Sequence, residues 1–383
     1  MIRVLFVMSD LEGGGAERSL VELLRRLDRS RIEPRLFLLK RTGVHLESVP
    51  PDVPLTWGCG SGDQRIRYAL PSVLRKAVAQ AEQVDVVVGA MEVYPSYVAW
   101  LAAAVHGKPL VGWVRTDLHE YLESFAGWHR WLAQRMYPRC QAVVVPSGGS
   151  LLSIKRVAAI AGEKLHKISN PVDPRQVQEM ASEPLSLAAG NLLAKPFLLG
   201  VGRLDSAQQG FDLLLRAHAA VRSRGCDHNL VIVGEGPDSD LLLKLAQSLN
   251  VQDSLFLLGF QRNPFPLFRA ARALVAPARL DGFGRIFLEA MALGLPVIGS
   301  TASGPAEILD HGKYGISVPP EDVDALSDAI HLLLADQEAH ARYSQLSLSR
   351  VQDYRPAPIA LQWDDLLCGL AKSPEPVGIS PRQ

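Results

Sequence analysis

Short apolar runs, each followed by a helical stretch, recur in two successive series along this 383-residue chain, and that alternation restricts the fold more than any other feature. The first series is RVLFVM (3–8), RLFLLK (35–40), VDVVVG (84–89), PLVGWV (109–114) and QAVVVP (141–146), with helical segments between, including 16–27 and 128–137. Strands apolar on both sides must be covered on both faces, and strands joined through helices run parallel. A second series repeats the pattern: PFLLGVGRL (196–204), NLVIVGEG (229–236), SLFLLGF (254–260), RALVAPA (272–278) and LPVIGS (295–300). The expected fold class is therefore α/β, with two Rossmann-like parallel-sheet domains. Pro171-Val172-Asp173-Pro174 and the Pro/Ser/Ala/Gly-rich stretch 183–195 punctuate the join. We expect domains at 1–183 and 184–354, a last helix within 355–372 after a break at Tyr354-Arg355-Pro356, and a disordered tail, 373–383.

The stretch 279–299, RLDGFGRIFLEAMALGLPVIG, carries the most chemistry. Asp281-Gly282-Phe283-Gly284 reads as a turn whose glycines let backbone approach a ligand. Residues 285–293 read as a short helix and LPVIG as a buried strand. Free N–H groups at that helix start favour an anion, and Glu289, about one turn inside, can reach back over the same pocket. A phosphate at the loop, with a hydroxyl-rich group beside two carboxylates, describes a nucleotide sugar.

This stretch resembles the E-x7-E signature of the retaining glycosyltransferases of family 4, which have the two-domain GT-B fold, with aspartate here in the first position. The resemblance implies two Rossmann-like domains facing a central cleft, with the last helix crossing back to the first domain. It also implies that Asp281 lies by the transferred sugar, that the amides of Gly282, Phe283, Gly284 and Arg285 hold diphosphate and sugar, and that Glu289 binds ribose hydroxyls. In the strand-end segment of residues 197–212, Gly202-Arg203 resembles the place of the arginine that clamps the donor pyrophosphate. Gln209 stands where the family has a lysine; Arg279 or Arg285 could supply the missing cation. Glu235 in Gly234-Glu235-Gly236-Pro237 and Phe260 and Arg262 in Gly259-Phe260-Gln261-Arg262-Asn263-Pro264 resemble the nucleotide end of the site. Ser303-Gly304-Pro305-Ala306-Glu307-Ile308 resembles a run in relatives that build lipid-linked or surface glycans, and Ser303 is placed to cap a helix.

On the acceptor side, Gly14 and Gly15 in Gly13-Gly14-Gly15-Ala16-Glu17 resemble the family's first-strand loop. Arg18 and the Lys40-Arg41 end of the second run argue against a dinucleotide fingerprint. Arg115 stands at the usual place of a histidine near the reacting sugar, and His119 lies four residues on as the candidate catalytic histidine. The mechanism implied is transfer from a nucleoside diphosphate sugar to an acceptor hydroxyl with retention, Arg203 and the loop amides stabilising the leaving diphosphate. No cofactor and no metal are expected. The departures at Asp281, Gln209 and Arg115 motivate one alternative, a catalytically degenerate GT-B protein acting as a binding or partner subunit.

Net charge is zero, yet residues 1–170 carry 22 Lys and Arg against 16 Asp and Glu. A basic first half suits peripheral contact with anionic membrane, with Arg65, Arg67, Arg75 and Lys76 as the candidate face, or equally a solvated surface. The expected partners are the nucleotide sugar and a glycan or lipid-linked acceptor; no nucleic-acid partner is expected. Cys59, Cys140, Cys226 and Cys368 are scattered, which suggests neither a disulfide framework nor a zinc site. The N-terminal MIRVLFVMSD reads as a first strand, and the longest later apolar run, 97–105, is far short of the roughly 20 residues a spanning helix needs. The expected location is cytoplasmic, touching the inner leaflet at most peripherally.

Overall fold

A computed structural model describes residues 1–60, 66–185, 192–301 and 303–372. The chain forms two compact units, Met1–Pro171 together with the chain from Pro356 onward, and Val172–Arg355. The expected disordered tail and part of the Pro/Ser-rich linker lie outside the described residues.

In the first unit the described residues form a seven-stranded sheet from β1 (Ile2–Met8), β2 (Ile32–Lys40), β3 (Leu55–Cys59), β4 (Val86–Gly89), β5 (Leu110–Trp113), β6 (Ala142–Val145) and β7 (Leu165–Lys167). The order is β3-β2-β1-β4-β5-β6-β7 and every pair is parallel, Val4 lying opposite both Pro34 and Val86. Side chains alternate across each strand. Val4, Phe6 and Met8 therefore enter one core with Val86, Val88 and Trp113, while Leu5 and Val7 enter the core on the other face with Val87 and Val143.

In the second unit β8 (Phe197–Val201), β9 (Asn229–Val233), β10 (Leu255–Leu257), β11 (Ala273–Ala276), β12 (Val297–Ser300) and β13 (Ile316–Val318) form a parallel sheet in the order β10-β9-β8-β11-β12-β13. In both sheets the strand order reverses beside the first strand, between β1 and β4 and between β8 and β11. The crevice outside the carboxyl ends of such strands is where open α/β sheets bind ligands. In the second unit the loops leaving β8 and β11 are the Gly202-Arg203 segment and the Asp281–Gly284 turn.

The join falls at Pro171–Val172, ahead of the 183/184 boundary expected from composition. Val172, Val177 and Ala181 are buried in the same core as Phe287 and Val297, and the Val172 amide donates to the Tyr354 carbonyl at 3.0 Å. Ahead of the break at Tyr354-Arg355-Pro356 stand two helices, Val323–Ala335 and Gln337–Arg350. Asp336 separates them because its carboxylate accepts from the amides of Glu338 and Ala339, both at 2.9 Å, and so caps the second. The last helix, Pro356–Lys372, belongs to the first unit: Trp363 is fully buried with its ring centroid 4.5 Å from that of Trp113. Among the described residues no helix is long and apolar enough to cross a membrane.

Candidate functional site

The turn after β11 is organised by Asp281. Its Oδ1 accepts from the backbone N–H groups of Phe283 at 2.9 Å and Gly284 at 2.7 Å, folding the loop back on itself. Gly284 then adopts φ +82° and starts the helix Arg285–Met291. Burial pushes the Asp281 carboxyl up, against the two amides that favour its charged form. Phe283 is buried against Tyr354, their rings edge to face at 5.9 Å.

Glu289 lies one turn inside the helix, buried, with Oε1 3.0 Å from Nε of Arg285. The two carboxylates thus have different duties: one shapes the loop, the other holds a cation beneath it. A second support comes from the segment after β12. A Cβ at Gly304 would stand 2.3 Å from the Phe283 nitrogen, so only glycine lets the helix Ser303–Leu309 approach the turn this closely. The Gly304 amide donates to the Asp281 carbonyl at 3.1 Å.

Around the switch point the loops after β8, β9 and β10 pack backbone on backbone. Gly234, at φ +141°, lies where any Cβ would meet the Gly202 carbonyl oxygen at 1.8 Å, and a Cβ at Gly236 would meet Leu204. The Leu204 amide donates to the Glu235 carbonyl at 2.9 Å, and the Ser206 amide to Asp238 Oδ2 at 2.6 Å. The Gln209 carboxamide rests on Gly202, with Oε1 2.9 Å from the point a Cβ there would occupy. Arg203 beside it is exposed and makes no side-chain ion pair or hydrogen bond among the described residues.

The two cations that sequence alone offered in place of a lysine at 209 are both paired with carboxylates. Arg279 grips Asp212 with two hydrogen bonds, 2.7 and 3.0 Å, and also bonds Glu321, which together raise its pKa. Arg285 is paired with Glu289. At the outer end, Glu235 Oε1 accepts from the Phe260 amide at 3.3 Å, and the Phe260 ring is exposed. Arg262 is exposed beyond it, and Asn263 ties the segment back to the Met180 carbonyl at 2.8 Å.

At the carboxyl edge of the first sheet, the structure brings Gly14, Gly15 and Arg115 together. Arg115 is buried, its guanidinium stacked 3.9 Å from the Trp113 ring centroid and donating to the Ala16 carbonyl at 2.6 Å in the first turn of helix Gly15–Arg26. Glu92, absent from the sequence reading, is buried there and accepts from the amides of Arg115 and Thr116. Burial raises its pKa against those amides. Glu17, whose Oε2 lies 2.4 Å from the place of a Cβ on Gly14, is raised chiefly by burial as well. His119 is held by other residues. Its amide donates to Ser153 Oγ at 2.9 Å and its ring Nδ1 lies 3.7 Å from Glu123 Oε1, on the short helix Leu118–Tyr121.

Comparison with known proteins decides the family. The profile described as "Glycosyltransferase Family 4" matches residues 13–176, and that described as "Glycosyl transferases group 1" matches residues 188–347. The chain is a family 4 glycosyltransferase. It is 24% identical to the N-acetylgalactosamine-N,N'-diacetylbacillosaminyl-diphospho-undecaprenol 4-alpha-N-acetylgalactosaminyltransferase of Campylobacter jejuni, over 70% of this chain and 72% of that protein. It is 24% identical to the alpha-D-kanosaminyltransferase of Streptomyces kanamyceticus, over 67% of this chain and 68% of the relative. Among solved structures, Anabaena HepE in complex with UDP and glucose superposes with a TM-score of 0.81 at 20% identity, covering 97% of this chain and all of the other. The fold of this glycosyltransferase is GT-B.

Its sequence announced the Asp281–Gly284 turn but not the turn's supports. Gly304 stands in a quoted motif, yet its role depends on a contact with Phe283 across the fold. The Asp212–Arg279–Glu321 network joins residues 67 and 42 positions apart, which no local pattern connects.

Proposed function

We propose that this glycosyltransferase moves a hexose-type sugar from a UDP-sugar to a hydroxyl of a glycan or lipid-linked acceptor, with retention at the anomeric carbon and without a metal. The observation carrying the reading is the turn after β11. Asp281 holds the Phe283 and Gly284 amides in one place, Glu289 is buried one turn on, and exposed Arg203 leaves β8 at the same switch point. In this reading the leaving diphosphate takes its countercharge from Arg203 and the start of helix Arg285–Met291, groups already oriented before the bond breaks. Glu289 receives the ribose hydroxyls, and the exposed Phe260 ring faces the base. The leaving phosphate itself assists removal of the acceptor proton.

Two supports come from relatives. The Campylobacter jejuni protein acts, by its name, on a diphospho-undecaprenol-linked sugar, and HepE was solved with UDP and with UDP-glucose. An acceptor held in lipid calls for peripheral contact with a membrane. Of the cations expected to make it, Arg65 and the side chain of Arg67 lie outside the described residues, and Lys76 is bonded to the Gly58 carbonyl at 2.9 Å.

The test is donor hydrolysis with a panel of UDP- and GDP-sugars, run on the parent, Glu289→Ala and Asp281→Ala. We expect a UDP-sugar to be turned over, Glu289→Ala to weaken donor binding strongly, and Asp281→Ala to depress turnover more than binding. Parent-like kinetics in both variants would remove the pocket assignment. UDP binding without turnover of any donor would favour a binding subunit.

A further inference from the structure

From residue 124 to residue 162 the chain has no Asp or Glu but five cations, Arg130, Arg135, Arg139, Lys155 and Arg156. The stretch folds into β6 and the helices Gly127–Met136 and Gly148–Val157, which cover one face of the first sheet: Ala133, Met136, Ile154 and Val157 enter the same core. Their other side is unusually apolar for a surface. Trp128 is 52% exposed, Trp131 53% and Leu152 60%. Trp128, Trp131 and Arg135 fall on one stripe of their helix, at spacings of three and four. The Arg135 guanidinium lies 3.8 Å from the Trp131 ring centroid, and Arg139 donates to the Arg135 carbonyl at 2.7 Å. Arg135, Arg139 and Lys155 make no ion pair with a carboxylate among the described residues.

Exposed indole rings with unpaired cations suit a surface that is apolar just beneath a layer of negative charge. A second copy of this chain does not. Two-fold association would set Arg135, Arg139 and Lys155 against their own copies, like charge on like charge. We propose that this face rests on an anionic lipid bilayer, with Trp128 and Trp131 entering the headgroup region and Arg135, Arg139 and Lys155 meeting lipid phosphates. The inference rests on the lipid-linked reading of the acceptor and moves the contact from helix Ile66–Glu82 to helices Gly127–Met136 and Gly148–Val157.

The full chain is sedimented with phosphatidylcholine vesicles, with vesicles containing phosphatidylglycerol, and with soluble heparin as competitor, while tryptophan emission is followed. We expect binding to the anionic vesicles alone, with a blue shift in emission. Trp128→Ala/Trp131→Ala should bind roughly tenfold more weakly or worse and lose the shift. Arg135→Glu/Arg139→Glu, which leaves the rings in place, should weaken binding by about fivefold or more per charge. Arg75→Ala should bind like the parent. Donor hydrolysis without vesicles, measured on the same samples, should be unchanged in all variants. Vesicle binding by a parent that hydrolyses no donor would overturn the proposed function and leave the surface intact. Equal binding to neutral vesicles, no vesicle binding, parent-like binding by both double variants, or complete competition by heparin at matched charge would overturn the surface.

Discussion

At the scale of single residues, the Asp281–Gly284 turn is held by contacts that differ in kind, and each can be removed separately. Gln209 rests on Gly202 beside Arg203, where the neighbouring cations Arg279 and Arg285 are already paired. A lysine at 209 would add a charge-assisted contact worth about 1.5–3 kcal/mol to a bound diphosphate. Gln209→Lys is therefore expected to tighten UDP at least tenfold, by calorimetry, with the gain shrinking as salt rises. Unchanged affinity would mean that Gln209 does not face the diphosphate. Gly304→Ala acts from the other side. Its methyl would press on the Phe283 nitrogen and must displace backbone, which costs about 1–3 kcal/mol. Weaker UDP binding, beyond any loss of stability, is the expected result, because the displaced atoms are those of the turn itself. The turn was legible from sequence because its residues are contiguous. Its brace at Gly304 and the ion pairs of Arg279 were not, because they arise only when distant strands are placed side by side.

Elements show the same division between local and tertiary information. Strands β1, β8 and β11 are continuous apolar runs buried on both faces, and a run of that kind is visible without the fold. The edge strands β3, β7 and β13 were missed. Each is half-exposed, LTWGC, LHK and ISV in sequence, and owes its extended form to the neighbour it pairs with. The helix Tyr94–Val105 read only as an apolar run because its exposed positions, Tyr94, Leu101 and Val105, are as apolar as its buried ones, Tyr97, Val98, Ala102 and Ala103. The final helix is the clearest tertiary case: Trp363, fully buried on Trp113, completes a core begun more than three hundred residues earlier by Val4 and Phe6. Truncating it leaves a cavity that strands on the far side cannot fill. Trp363→Ala should cost about 3–5 kcal/mol in denaturant unfolding. The loss should fall on the first unit, with UDP affinity kept; a variant as stable as the parent would show that the helix is dispensable to that core.

The whole molecule has two hydrophobic units, so its unfolding need not be a single transition, and pH should separate them. Beneath the second sheet His218 is fully buried, bonded through Nδ1 to His228 Nε2 and through Nε2 to Ser254 Oγ, both at 2.9 Å. Burial, then His228 and Arg222, lowers the His218 pKa to about 3, and burial lowers that of His228 as well. An unfolded histidine takes its proton near 6.5. Between those values the unfolded chain binds more protons than the folded one, so stability is full above about pH 6.5 and falls with pH through that window. Each unit of pH costs up to about 1.4 kcal/mol for one such group. The buried carboxyls Asp281, Glu17 and Glu92 are raised, so on acidification each takes its proton in the folded chain first and opposes this trend above its ordinary range around 4. Scanning calorimetry at pH 7.5, 6.5 and 5.5 should therefore show the transition that UDP stabilises moving down with acid. His218→Gln should flatten that slope while lowering the starting stability. An equal slope in parent and variant would assign the acid sensitivity to other groups.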